Sequence, residues 1–331
     1  MVNFPSSKLQ RVVVLGTGGT IAGRAASSGD NIGYTAGQVA VSDLLNGVAA
    51  PEGVSLVAEQ VAQVDSKDMT HEIWLALAQR CAHWLAEPNV AGVVVTHGTD
   101  TLEETAFFLH AVLAPSKPVV LTCAMRPATA LSPDGPQNVR DAIVVAATAG
   151  AQGVTVVCAG VVHSGVDVQK VHTYRLEAFA SGDAGPVGYV EEGEVRRVRA
   201  WPHADVNNDL ATLTAAVSPW PRVEIVMSHA GASGAVVDAL VQQGGVAPVR
   251  GLVLAATGNG TLQQTLEAAA LKAQDAGIAV LRATRCASGR ILPRPDDRLR
   301  DAGALTPVKA RIALMLELLG VAALSPNAKG G

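Results

Sequence analysis

The sequence predicts an α/β protein in two parts: a larger N-terminal domain built on a doubly wound sheet, and a smaller C-terminal α/β domain. Three observations carry this reading. Short β-branched runs alternate with segments of helical periodicity along most of the chain. The β-branched runs are continuously apolar, the pattern of strands buried on both faces of a parallel sheet. The chain has 331 residues, of which 49% are hydrophobic and only 3% aromatic. That length suits two domains, and small aliphatic side chains suit helix-on-sheet layers.

In order, strands are expected at Val12–Leu15, Val54–Ala58, Gly92–Thr96, Pro118–Thr122 and Thr155–Ala159. Helices between them are expected at His71–Leu85, Thr101–Ala114 and Pro136–Ala149. In the second of these, Leu102, Ala106, Leu109 and Leu113 recur at helical spacing. The pattern breaks between Trp201 and Pro221, where WPHADVNNDL and then SPWP bring Pro, Asn and Asp together. Residues 1–202 therefore read as the first domain, 203–221 as a linker and 222–331 as the second. The second restarts with strands at Val223–Met227, Gly251–Ala255 and Ala279–Arg282, with helices at Ala235–Gln243, Thr261–Ala276 and Val308–Leu319.

Composition sets aside several classes. The net charge is -4 and no basic run stands out, so neither nucleic acid nor an anionic membrane is an expected partner. No run approaches the roughly 18 apolar residues of a spanning helix. The N-terminus has no apolar leader segment, which reads as cytoplasmic, or periplasmic if a signal peptide has been removed. Cys81, Cys123, Cys158 and Cys286 are widely spaced, with no CxxC pair, and read as small buried hydrophobes. No metal or cofactor is called for.

Four segments carry chemistry. VVVLGTGGTIAG runs a strand into a Gly-rich turn and then to Thr20. A dinucleotide fingerprint fails there, because its third glycine falls on Ile21. GVVVTHGTDTLEETAFFL ends a buried strand in Thr99 and Asp100, at the carboxyl end where α/β sheets place ligands. Asp100, with Glu103 three residues on, also reads as a capping box, and His97 as a structural histidine. In VVLTCAMRPATALSPDGPQN, Arg126 and Asp134 are candidates to pair across a proline-stiffened loop. SGVDVQK ends in Lys170, which taken alone is a surface group.

Taken in order, GTGGTIAG, VDSKDM, THGTDTLEETAFFL, AMRPATALSPDGPQN and DVQK resemble the L-asparaginase/glutaminase family. The resemblance runs from Val12 to at least Val190, and more weakly through TGNGTL and RATRCASG. It implies amide hydrolysis by a threonine hydroxyl, which needs a partner to take its proton. Thr20 matches the nucleophile that forms an acyl-enzyme and releases ammonia. Thr99 matches a second threonine, in a triad with Lys170 and Asp100; a lysine serves as a base when burial disfavours its charged form. The sequence assigns neither threonine to a particular step. Tyr34, in the Gly- and Ser-rich stretch Ser27–Gly37, matches a lid tyrosine that polarises the nucleophile. Ser66 matches the residue holding the substrate α-carboxylate, Asp100 faces its ammonium, and the Ala124 carbonyl receives its amide.

Three departures bear on specificity. Lys67 stands where many members have Gln, adding a cation near the α-carboxylate. Thr261, two residues after Asn259, stands where asparagine-selective members carry an Asn that reaches in from a neighbouring subunit. The acid that supports the lid tyrosine in some members is matched by Arg294, with Asp296 and Asp297 nearby. The expected function is that of an L-asparaginase in a homo-oligomer, a tetramer by resemblance, acting on a small-molecule substrate. A dual glutaminase-asparaginase is the alternative, and a non-enzymatic ligand-binding descendant of the fold is the third reading.

Overall fold

The run Val12-Val13-Val14-Leu15 has no side chain that water can reach, and it forms the heart of β1 (Gln10–Gly18). The computed structural model describes residues 9–203, 210–216, 219–243 and 247–321. The chain folds as two units, Met1–Ala204 and Asp205–Gly331.

In the first unit β1 leads to a small ribbon of β2 (Arg24–Ala25) and β3 (Tyr34–Thr35), then α1 (Val41–Leu44) and β4 (Val54–Val64). There follow α2 (His71–Ala86), β5 (Val90–Thr96), α3 (Leu102–Leu113), β6 (Pro118–Thr122), α4 (Gly135–Ala147) and β7 (Gly153–Cys158). Five strands lie parallel in the order β4-β1-β5-β6-β7. Counted along the chain, that is the 2-1-3-4-5 order of doubly wound sheets, whose switch point lies between the first and third strands, here β1 and β5. Val12, Val14, Val94 and Val120 pack against α1 and α4 on one face. α2 and α3 cover the other, where Trp74 stacks on Phe108 at 4.9 Å.

Full burial fails at one margin of the sheet, and the parallel order ends at the other. β4 is an edge strand and no residue of it is fully buried, so its apolar run is not sandwiched. Beyond β7 the sheet turns antiparallel through β8 (Val161–Ser164), β11 (Gly188–Glu191) and β12 (Glu194–Arg197). Between them β9 (Gln169–Lys170) and β10 (Phe179–Ala180) pair only with each other. These strands of two to four residues are too short to show a hydrophobic period.

Residues 204–209 and 217–218 of the expected linker lie outside the described residues; between them α5 (Leu210–Ala215) buries Leu213. The second unit continues with β13 (Arg222–Met227), α6 (Ala235–Gln242), β14 (Val249–Ala256), α7 (Gln264–Asp275), β15 (Ala279–Thr284), β16 (Arg300–Asp301) and α8 (Pro307–Leu318). Its four strands are parallel in sequence order. Leu252 and Leu254 of β14 pack with Val237 of α6 and Leu266 and Ala270 of α7. The larger and smaller α/β parts are those the sequence predicts. α7 starts three residues later than expected, because Gln263 caps it: its side-chain oxygen accepts from the amides of Thr265 and Leu266 at 2.7 and 3.1 Å. Cys81, Cys123 and Cys158 are buried free thiols, and burial pushes Cys81 up to about 12. Cys286 is exposed, contrary to its reading as a core residue.

Candidate active site

The sheet order brings the carboxyl ends of β1 and β5 side by side, and both chemical segments begin there. Thr17 Oγ1 donates to the Thr96 carbonyl at 2.9 Å, tying the two strand ends together. Beyond β1 the chain turns through Gly18 and Gly19 at φ 101° and 81°, which only glycine adopts without strain. A Cβ at Gly19 would overlap the Cα of Gly98, so the two turns touch backbone to backbone. Thr20 then opens a short 3-10 turn and is buried. Its hydroxyl lies 2.6 Å from the Tyr34 hydroxyl.

Tyr34 reaches that position from β3, where it pairs with Ala25 of β2. The ribbon is fastened to the loop after β6. Ala128 N donates to the Gly23 carbonyl at 3.0 Å, Ala25 N to Thr129 Oγ1 at 2.9 Å and Leu131 N to the Ser28 carbonyl at 3.1 Å. The ribbon thus rests closed over Thr20. At its tip, Asp30 accepts from the amides of Gly33 and Ile32, which hold its carboxyl below the usual range.

The second centre follows β5. Lys170 Nζ donates to Thr99 Oγ1 at 2.9 Å and to Asp100 Oδ1 at 2.7 Å. Thr99 is buried, whereas the Asp100 side chain is 55% exposed, so its carboxylate also faces solvent. The expected capping box does not form around Asp100. Thr101 is the N-cap of α3, Asp100 is drawn to the lysine, and Glu103 Oε2 accepts from the backbone amide of Lys170 at 3.2 Å. Lys170 is correspondingly no free surface group.

His97 is structural, as its sequence position suggested, and it completes a directed chain. Trp74 Nε1 donates to Thr105 Oγ1 at 2.8 Å, Thr105 pairs with His97 Nε2 at 2.9 Å, and His97 Nδ1 pairs with the Gly98 carbonyl at 2.7 Å. A neutral ring protonated at Nδ1 satisfies all three bonds. Burial lowers the His97 pKa to about 4, in keeping with that tautomer. The residues that brace the Thr99 turn, Trp74 and Thr105, carry no signal of that role in the sequence. Each looks like core material on its own helix, and only the crossing of α2 and α3 joins them.

Ser66 is buried at the turn after β4. Its Oγ accepts from Asp100 N at 3.1 Å and its carbonyl from Thr101 Oγ1 at 2.7 Å. Lys67 does not project an uncompensated cation. Its ammonium pairs with Asp68 and, at 3.6 Å, with Asp65, and its side chain is 61% exposed. Ala124 is buried just after β6. In the adjoining loop Arg126 and Asp134 do not form the expected ion pair. Asp134 accepts from the backbone amides of Met125 and Arg126 at 2.9 and 3.0 Å, and the Arg126 guanidinium donates to the Ser132 carbonyl at 3.0 Å.

In the second unit the expected specificity residues are engaged locally. The Asn259 side chain makes a two-way clamp on Leu292, donating to its carbonyl at 3.0 Å and accepting from its amide at 2.7 Å. Thr261 Oγ1 donates to the Thr257 carbonyl at 3.1 Å, across a backbone bridge between the two residues. Arg282 donates to the Gly260 carbonyl at 3.0 Å and pairs with Asp297 at 2.8 Å. That guanidinium holds the Asp297 carboxyl below its usual range. Asp297 also accepts from the backbone amide of Arg294 at 2.9 Å, and Asp296 is exposed. Among the described residues no three His, Cys, Asp or Glu side chains converge as a metal site, and no helix is long and apolar enough to cross a membrane.

Two buried threonine hydroxyls, each bonded to a group that can polarise it, stand at neighbouring strand ends. That arrangement suits nucleophilic attack with proton transfer. The family model "Asparaginase, N-terminal" matches residues 11–202, and "Glutaminase/Asparaginase C-terminal domain" matches residues 222–321. The chain is 38% identical over 323 residues to L-asparaginase 2 of Escherichia coli (strain K12), covering 94% of this chain and 89% of that one. It is 37% identical over 324 residues to the glutaminase-asparaginase of Pseudomonas fluorescens biotype A, covering 94% and 87%. Among solved structures, the probable cytoplasmic L-asparaginase from Campylobacter jejuni superposes with a TM-score of 0.84 at 34% identity, covering 93% of this chain and 95% of that one.

Proposed function

The chain belongs to the asparaginase family, and from that premise we propose that it is an L-asparaginase, hydrolysing L-asparagine to L-aspartate and ammonia through an acyl-enzyme on Thr20. The observation that carries this reading is the pair of polarised threonines, Thr20 with Tyr34 and Thr99 with Lys170.

The substrate α-carboxylate is taken by the Ser66 turn, and its ammonium by the open side of Asp100. The side-chain amide then lies toward Thr20, with its group received at the Ala124 carbonyl. Tyr34 draws on the Thr20 hydroxyl as Oγ1 attacks the amide carbon. The C–N bond breaks, and the hydroxyl proton ends on nitrogen, giving ammonia and a β-aspartyl ester. Water then adds to the ester carbonyl, the Thr99–Lys170 pair takes its proton, and Thr20 Oγ1 leaves and regains a proton. Desolvation under the ribbon strengthens each of these polar contacts. The Lys67 ammonium, balanced by Asp65 and Asp68, adds little net charge at the carboxylate end.

We place the domain boundaries at 1–202 and 222–331, with 203–221 as linker. The working form in this reading is a homotetramer, in which the Asn259–Thr261 turn of one copy completes the site of another. A relative described as cytoplasmic supports a cytoplasmic location. Dual glutaminase-asparaginase activity is the second reading, favoured by the short side chain of Thr261. Ammonia release from asparagine and from glutamine at equal concentrations separates the two. Absence of release from both overturns the proposal. Light scattering at assay concentration tests the assembly, and a fully active monomer would contradict it.

A further inference from the structure

Lys170 lies on a ribbon of very short strands, anchored to either side of the lysine by buried Val168, Ala178 and Phe179. β9 and β10 have two residues each and pair as Lys170↔Phe179 and Gln169↔Ala180, forming a sheet of their own. A two-stranded ribbon is marginal in water even when longer. Yet the Lys170 Nζ at its edge meets Thr99 Oγ1 and Asp100 Oδ1 at 2.9 and 2.7 Å. The turn before the ribbon holds Val168 N on the Ser164 carbonyl at 2.9 Å, and the ribbon holds Val171 N on the Ala178 carbonyl at 2.8 Å. The amide of Lys170 itself is held from outside, by Glu103 Oε2 at 3.2 Å.

We propose that Glu103 is the positioning residue for Lys170, fixing the backbone of the base while Thr99 and Asp100 hold its Nζ. Three of the five residues from Thr99 to Glu103 thus bond one lysine that lies 67 or more positions away in the chain. Glu103 stands in the first turn of α3, and Leu102, Thr105 and Ala106 around it are wholly buried, so its platform is rigid. Without the Glu103 bond, the Lys170 backbone can shift between those anchors and carry the lysine stem with it. Misplacement of a reacting group by about 1 Å costs up to about 10²-fold in rate. Binding of the substrate ammonium and carboxylate does not pass through Glu103, so the loss falls on kcat. The inference rests on the reading of Lys170 as proton acceptor.

The experiment measures kcat, KM and melting temperature for asparagine with Glu103→Ala, Glu103→Gln and Lys170→Met in the full-length protein. Glu103→Ala is expected to lose about 10-fold or more in kcat, with KM within about 3-fold. Glu103→Gln keeps an acceptor oxygen at the same reach and is expected within about 3-fold of wild type in both constants. Wild-type kcat in Lys170→Met would sink the reading of Lys170 and this inference with it. An inactive Lys170→Met beside a fully active Glu103→Ala would sink this inference alone, as would an equal loss in Glu103→Gln. If Glu103→Ala does not fold, Glu103→Asp keeps the charge at the helix start but shortens the reach. A fall of about 5-fold in its kcat supports the inference, and an unchanged kcat overturns it.

Discussion

The hydroxyls of Thr20 and Tyr34 lie 2.6 Å apart although the chain between them leaves the sheet and returns as a separate ribbon. The ribbon is therefore already closed over the threonine, fastened by Thr129 and by backbone bonds to the loop after β6.

Thr20→Ala removes the proposed nucleophile and leaves a methyl side chain that the buried site accommodates. Turnover should fall by about 10³-fold or more with the melting temperature nearly unchanged. Tyr34→Phe keeps the ring but deletes the hydroxyl, and kcat should fall by about 10²-fold or more. Steady-state kinetics and thermal melts on the same preparations check both. A well-folded Thr20→Ala protein with wild-type turnover would end the mechanism.

Thr99→Val deletes the hydroxyl that Lys170 holds at 2.9 Å while keeping the shape of the side chain. The expected loss in kcat is about 10²-fold or more. Because Thr99 and Lys170 act as one unit, Thr99→Val combined with Lys170→Met should be scarcely worse than the poorer single variant. Multiplicative losses in the double variant would show that the two act separately.

In the proposed assembly, specificity is expected to turn on position 261. The Thr261 hydroxyl is engaged by Thr257 and is shorter than an Asn side chain, so in that assembly it would leave slack at the end of the site it completes. One methylene is worth about 1–3 kcal/mol of discrimination in a tight pocket. Asparagine should remain preferred, with a measurable glutaminase activity that Thr261→Asn reduces. The two values of kcat/KM, in wild type and variant, decide it. An unchanged ratio would remove position 261 from the account.

His97 should make stability depend on acid in a defined window. Its pKa is near 6.5 unfolded and is lowered to about 4 by burial. The unfolded chain therefore takes up the proton first as pH falls. The stabilisation is complete above about 6.5 and is lost between about 6.5 and 4, amounting to about 3 kcal/mol when fully developed. His163, lowered to about 4 by burial and then by the charge of Arg199, adds a second loss of the same sign. Glu59, held below the usual range by its hydrogen bond to Arg80, loses its contribution only at lower pH. Urea unfolding at pH 7 and pH 5 should show a smaller decline for His97→Gln than for wild type. Equal declines would mean that His97 does not titrate differently in the two states.

The fold class and the positions of the candidate site segments are legible because they are written locally. Continuous apolar runs force strands into the middle of a sheet, and the Gly-rich and Thr-His-Gly-Thr-Asp segments fall where those runs stop. What the sequence left open were matters of partner choice. Asp100 and Glu103 have the spacing of a capping box, and a lysine some seventy positions away takes both. Lys67 reads as a cation for the site, and two flanking carboxylates claim it. Asn259 and Asp297 stand at or beside expected site positions, and Leu292 and Arg282 hold them. The antiparallel strands beyond β7 are too short to announce themselves. Periodicity reports which face of a segment is buried, and that depends only on neighbours along the chain. A polar side chain pairs with whichever complementary group the folded backbone brings within about 3 Å, and only the tertiary structure decides which group that is.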